Sequence, residues 1–288
     1  MPKKKEVPSG WDMNNIIIFI ALPLLVGIIL STFIPRPQIG VIHLNYAIDD
    51  VITQRTVKQI QYAMNHPEVR AVVIVMDCPG GTINGTELIY LELIKLRQTK
   101  PVVTMVEGMS ASGAYYLAVG TDYIISNPSA MVGNVGVIGE IPSKPRIYEE
   151  TYSTGPYKLW GFAQDSYIRQ IDMMKATFLE AVLLGRGKHL NTTADYILRG
   201  EIFTANEALR LGLVDELGPQ SLAYEKAASL AHISHYRIVD LQNKVNLEDS
   251  ENSSASFYAL DQDGNPTNRP AQAGFYYLYI PMMEGWQP

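Results

Sequence analysis

Two valine-rich runs, residues 71–76 and 101–106, each end in a glycine-containing turn that opens into a helical stretch, and this repetition constrains the fold most. A strand that is apolar at every position must be covered on both faces, as in a parallel sheet. Residues 86–96 read as the helix that joins the two runs, so the strands pair in parallel through a right-handed crossover. A strand over 40–45, a helix over 51–64 and short strands over 123–126 and 135–138 extend the alternation. In that first helix Val57, Ile60, Ala63 and Met64 fall at helical spacing. The expected architecture is one α/β domain built as a spiral of βαβ units.

The second turn carries the chemistry. It reads Gly108-Met109-Ser110-Ala111-Ser112-Gly113-Ala114-Tyr115-Tyr116. Ser112 stands where a strand hands over to a helix, beside N–H groups that no carbonyl inside the helix satisfies. Such donors suit a developing oxyanion. Ser112 serves equally as a plain N-cap, with the small residues as packing spacers. The first turn, Asp77-Cys78-Pro79-Gly80-Gly81, pairs two glycines that let backbone approach a ligand closely. Ser110 and the single cysteine, Cys78, are rival nucleophiles.

A serine nucleophile needs a proton acceptor. The five histidines, His43, His66, His189, His232 and His235, have no acidic partner visible in sequence, although a triad is assembled in space. Lys158 sits among Tyr157, Leu159, Trp160 and Phe162, an apolar wrapper of the kind that desolvates an ammonium. The magnitude is demanding: an ordinary lysine is neutral in about one molecule in 2,500 at pH 7, so a lysine base must be lowered by roughly 3 units, about 4 kcal/mol. A surface lysine resting over aromatic rings is the alternative.

The Pro-Gly-Gly turn, the segment 111–116, Asn127-Pro128-Ser129 with Val135-Gly136-Val137-Ile138-Gly139, and Gly155-Pro156-Tyr157-Lys158 together resemble the signal peptide peptidase A (protease IV type) family of membrane serine proteases. The resemblance covers about residues 40–218 and implies a Clp protease/crotonase-like fold. It further implies a Ser-Lys dyad of Ser112 and Lys158, with oxyanion donors from Gly80 and Gly113 and with Gly81 as fallback for the first. No cofactor and no metal are implied. The chain departs from the family pattern at Cys78, usually serine, at Ala114, usually glycine, and at Asn134. There the family commonly has a serine that hydrogen-bonds the lysine, and an asparagine oxygen is still an acceptor that can orient Lys158. A catalytically silent scaffold with the same fold is the alternative function, and a crotonase-type acyl-CoA enzyme a weaker one.

Residues 16–34 carry no charge and are long enough to cross a bilayer core. Lys3, Lys4 and Lys5 precede them, which directs the N-terminus to the cytoplasm and the rest outward. An uncleaved signal anchor fits better than a cleaved signal, because residues 31–35 lack a small-x-small site. The expected divisions are a cytoplasmic tail (1–15), the anchor (16–34), a linker (35–39), the protease domain (40–244) and a partly flexible extension (245–288). The net charge is −6, with no basic stripe beyond the N-terminal tail, so nucleic acid is not an expected partner. Peptide substrates, the lipid bilayer and further copies of the chain are.

Later residues follow the same local rules. Ile168, Ile171, Met174, Phe178 and Ala181 mark one face of a helix over 165–184. Thr204 and Glu207 form a capping box, and Gly212 ends the helix it starts. Residues 246–256 are polar and acidic, whereas 276–280 have strong strand propensity and are expected to pair with a sheet edge or dock on a neighbouring subunit.

Overall fold

The structure, a computed structural model, describes residues 17–33, 36–140, 154–155, 158, 163–245, 258–260, 266–270 and 274–278. A π-helical turn (Ile17–Ala21) leads into α1 (Leu22–Phe33). Then follow β1 (Gln38–Leu44), α2 (Asp50–Asn65), β2 (Val69–Cys78), β3 (Gly80–Thr82), α3 (Ile83–Arg97), β4 (Val102–Ala111), α4 (Gly113–Ala118), β5 (Tyr123–Ser126), β6 (Met131–Gly133) and β7 (Ile138–Gly139). The second half holds α5 (Gln164–Arg186), α6 (Ala194–Ile197), β8 (Ile202–Thr204), α7 (Ala205–Leu211), β9 (Glu216–Leu217), α8 (Gln220–Leu230) and β10 (Arg237–Asp240). Three short strands follow among the described residues: β11 (Tyr258–Leu260), β12 (Pro266–Pro270) and β13 (Phe275–Leu278).

The main sheet runs β10-β1-β2-β4-β5-β9, every neighbouring pair parallel, which is the α/β architecture the strand-helix alternation requires. Both faces of β2 are covered, and this explains its unbroken apolar run. Val72, Ile74 and Met76 join the core shared with Ile60 of α2 and Ile89 and Leu93 of α3. Ala71, Val73 and Val75 face the other way, against Ala223, Ala227 and Ala228 of α8.

Side-chain caps open α2, α3 and α7, and the one at Thr204 is legible in the sequence. Asp49 Oδ1 accepts from Ile52 N at 2.8 Å, Thr82 Oγ1 from Gly85 N at 3.2 Å and Thr204 Oγ1 from Glu207 N at 3.4 Å, each a side-chain N-cap. Gly212 ends α7 at φ +80, where a Cβ would overlap the His189 carbonyl oxygen.

One expected element is corrected. Residues 135–137 are not strand; the pairing lies just before them in β6 and after them in β7. Gly133 (φ +118) and Asn134 (φ +55) adopt consecutive left-handed conformations, which turn the chain out of the sheet where Val135 begins.

The 16–34 span lies partly outside the described residues. Among those described, no helix is long and apolar enough to cross a membrane. The part that is described exposes Ile18, Phe19, Leu22, Leu24 and Leu25.

Candidate active site

β4 is longer than its apolar run. After Val106 its register with β2 shifts, with Ser110 opposite Cys78, and on the other edge Met109–Ala111 pairs with β6 where Val103–Val106 paired with β5. This extension carries both candidate serines to the end of the sheet. Ser110 is fully buried and its hydroxyl donates to Met76 Sδ at 3.5 Å, so it points into the core. Ser112 N donates to Gly133 O at 2.8 Å, and Ser112 O accepts from Tyr116 N to start α4.

Ser112 itself is strained. It sits at φ +52, ψ −117, a region that costs a non-glycine residue about 1–3 kcal/mol. It stands at the N-cap position yet makes no side-chain cap. Its Oγ is buried, the residue 1% exposed, and has no hydrogen-bond partner among the described residues. A capping hydroxyl would be bonded to the helix it caps. Ser112 is thus held in a costly backbone conformation with a hydroxyl that does no structural work.

The glycine turn lies alongside. Ile48 N donates to Gly80 O at 2.8 Å and Thr82 N to Ile48 O at 2.9 Å, which pins one edge of β3. Its other edge is filled by the chain's own β13. β13 runs antiparallel between β3 and β7, with Tyr277 opposite Gly81, Leu278 opposite Gly80 and Phe275 opposite Gly139. Gly80 has φ +101, and a Cβ there would overlap the Tyr277 carbonyl oxygen and lie 2.7 Å from Gly113 N. At Gly113 a Cβ would come within 3.0 Å of the same oxygen. Only glycine permits this approach. Gly80 and Gly113 thus both border one carbonyl, that of Tyr277, while Gly80 N donates to Cys78 Sγ at 3.4 Å.

Cys78 is buried, and its thiol donates to Tyr46 O at 3.0 Å. Burial pushes the thiol up to about 12. Buried, bonded and held in its thiol form, Cys78 is a poor nucleophile. Iodoacetamide at pH 8 is expected to leave the folded protein unmodified and to alkylate Cys78 once denaturant is added, as read by intact mass.

Among the histidines, His43, His189, His232 and His235 are exposed, and His66 bonds Tyr62 O at 2.8 Å. None bonds Ser112, so no histidine triad forms here. Lys158 is exposed, its backbone N donating to Gly155 O at 3.2 Å, and it is not bonded to Ser112 either. The single chain assembles the serine and the glycines but not the lysine. Asn134 Nδ2 donates to Gly200 O at 2.7 Å, which leaves Oδ1 as the acceptor. Asn134 lines a 370 Å³ cleft with Ile138, Lys175, Arg199 and Leu278.

Sequence reasoning missed Lys175 in this cleft, and it missed the pocket of Tyr116, Met174 and Phe178 that receives Tyr277. The apolar stripe of α5 signalled burial of Met174 and Phe178, but nothing in it signalled what they bury.

Residues 37–132 match the Clp protease family, which fixes the class: a serine peptidase on a Clp-protease-like α/β domain. Residues 94–234 match peptidase family S49. Protease 4 of Salmonella typhi is 32% identical over 208 residues, covering 67% of this chain and 34% of that protein. A Synechocystis protein bearing a protease name is 30% identical over 193 residues, covering 62% of this chain and 69% of its own length. The chloroplastic serine protease SPPA of Arabidopsis thaliana is 25% identical over 220 residues, covering 72% of this chain and 32% of that one. The chain belongs to peptidase family S49.

Proposed function

We propose that the protein is a membrane-anchored serine endopeptidase in which Ser112 is the nucleophile, Lys158 the general base and the N–H groups of Gly80 and Gly113 the oxyanion donors. The observation that carries this reading is the unbonded hydroxyl of Ser112, held at positive φ beside two glycines that admit a peptide carbonyl. Ser112 Oγ attacks the carbonyl carbon while its proton passes to Lys158. The tetrahedral oxyanion is met by the glycine N–H groups, and Lys158 returns the proton to the departing amine. Water then hydrolyses the ester and frees the serine. Asn134 Oδ1 orients the amine.

Extended apolar peptides, remnant signal peptides among them, are the substrate class. An edge strand such as β3 binds any extended backbone by main-chain pairing, and apolar pockets beside it select the side chains. Residues 16–34 anchor the protein in the membrane with the catalytic domain on its outer face. In support, the described part of this segment is uncharged and exposes apolar side chains, Phe19 at 68%. Lys158 reaches Ser112 when its own segment closes or when a neighbouring copy docks. Exposed Leu91 of α3 and Leu184 of α5 suit a second copy of the chain.

Lys158→Ala is expected to lower kcat for peptide hydrolysis about 10²–10⁴-fold, the usual worth of a general base. Mixing the Lys158→Ala and Ser112→Ala proteins restores activity if the lysine crosses between subunits. Normal turnover by Lys158→Ala alone would remove the dyad.

A further inference from the structure

Two hydroxyls are buried without a hydrogen-bond partner among the described residues, Ser112 Oγ and Thr86 Oγ1. Such groups are rare, because a buried polar atom left unbonded costs free energy. Thr86 lies near the start of α3, which runs on directly from the glycine turn and β3, and it is fully buried. A threonine inside a helix commonly donates to the carbonyl one turn back, as Thr53 Oγ1 does to Asp49 O at 2.6 Å and Thr177 Oγ1 to Met173 O at 3.1 Å. Elsewhere in the core, Thr104 and Thr121 bond each other at 3.0 Å. Thr86 does neither. Its hydroxyl is turned toward Gly113: a Cβ on that glycine would lie 2.7 Å from Thr86 Oγ1 and 3.0 Å from the Tyr277 carbonyl oxygen. The free hydroxyl and a main-chain carbonyl therefore meet over the same glycine, one residue beyond Ser112.

We propose that the Thr86 hydroxyl is a further oxyanion donor, one whose hydrogen bond forms only as the scissile carbonyl becomes tetrahedral. This rests on Ser112 being the nucleophile. When Ser112 Oγ attacks, the carbonyl oxygen gains negative charge and leaves the plane of the peptide, so the donors that matter are those set for its new position rather than its old one. Thr86 has no partner in the resting protein to give up. The bond it gains is made in the transition state alone, which raises kcat and leaves KM unchanged. No proton is transferred in this contact: the hydroxyl keeps its hydrogen, and the oxygen loses its charge when the carbonyl re-forms and the amine departs. Because α3 is continuous with the glycine turn, the hydroxyl is fixed relative to Gly80 before substrate arrives. The unbonded hydroxyl lowers the stability of the fold and serves the reaction.

The test compares the purified full-length protein with its Thr86→Val and Thr86→Ser variants. Four readings are taken: hydrolysis of an extended apolar peptide, fluorophosphonate labelling, inhibition by a peptide aldehyde that adds to a serine as a tetrahedral adduct, and the thermal midpoint. Thr86→Val keeps the side-chain shape and removes the hydroxyl. It is expected to lower kcat at least about tenfold with KM unchanged, and to weaken aldehyde binding by about the same factor. Its thermal midpoint is expected to stay level or rise, since no bond is lost and an unbonded polar atom leaves the core. Thr86→Ser keeps the hydroxyl but loses a buried methyl, so its midpoint should fall while kcat stays within about threefold of the parent. Activity and stability thus rank the two variants in opposite orders, whereas a purely structural threonine would rank them alike. Parental turnover by Thr86→Val, turnover lost in step with its midpoint, unchanged aldehyde binding, or a Thr86→Ser protein as slow as Thr86→Val overturns the inference and leaves the Ser112 assignment standing. A parent protein that neither takes the probe nor cuts the peptide overturns the two together.

Discussion

Ser112→Ala is expected to abolish peptide hydrolysis and fluorophosphonate labelling while leaving a folded protein. Removing a serine nucleophile typically costs about 10⁴–10⁶ in kcat, because no neighbouring group replaces the attacking oxygen. The same change costs no hydrogen bond, since Oγ has no partner among the described residues. A further variant separates chemistry from structure. Ser112→Gly relieves the φ +52 strain and is expected to raise stability by about 1 kcal/mol while being equally inactive. Thermal midpoints of the three proteins, set beside their turnover, check both halves. A Ser112→Ala protein that still hydrolyses peptides would move the nucleophile elsewhere.

Asp215→Ala is expected to produce the largest loss of stability of any single change away from Ser112, about 3–5 kcal/mol. Arg186, at the end of α5, is 4% exposed and Asp215 8%. Arg186 Nη1 contacts both Asp215 oxygens at 2.8 Å, and its Nε donates to Gly212 O at 3.0 Å. Asp215 Oδ2 in turn accepts from Ile124 N of β5 at 2.8 Å. Removing the carboxylate strands a buried guanidinium and leaves a strand N–H without its partner. The effect extends to the site, because α5 also carries Met174 and Phe178 against Tyr277. Denaturant titration measures the loss. The double variant Arg186→Met/Asp215→Leu, which removes both charges, is expected to be much less destabilised than Asp215→Ala alone, and equal destabilisation would show that packing dominates.

The elements most legible in the sequence were those whose signals are local. The continuous apolar run at 71–76 reads as a strand covered on both faces, and the structure covers both faces of β2. Thr204 and Gly212 mark their helix ends through hydrogen bonds and backbone angles that involve only near neighbours. The strand at 135–138 was misjudged for the complementary reason. Apolar composition favours extended chain there, but the left-handed angles of Gly133 and Asn134 are imposed by where the chain must turn.

By itself, then, the sequence determined the alternation of strand and helix, the buried parallel sheet and the serine at a strand-to-helix turn, because periodicity and local backbone preference are written in consecutive residues. Only the tertiary structure decided that Ser112 takes a strained angle with a hydroxyl unbonded among the described residues, that Lys158 is not bonded to it in the single chain, and that β13 lies along β3. The aromatic run at 275–278 announces a strand, but any open edge presents the same unpaired N–H and C=O groups. The partner was settled by a pocket whose walls come from α4 and α5, and such a fit between distant segments has no local sign.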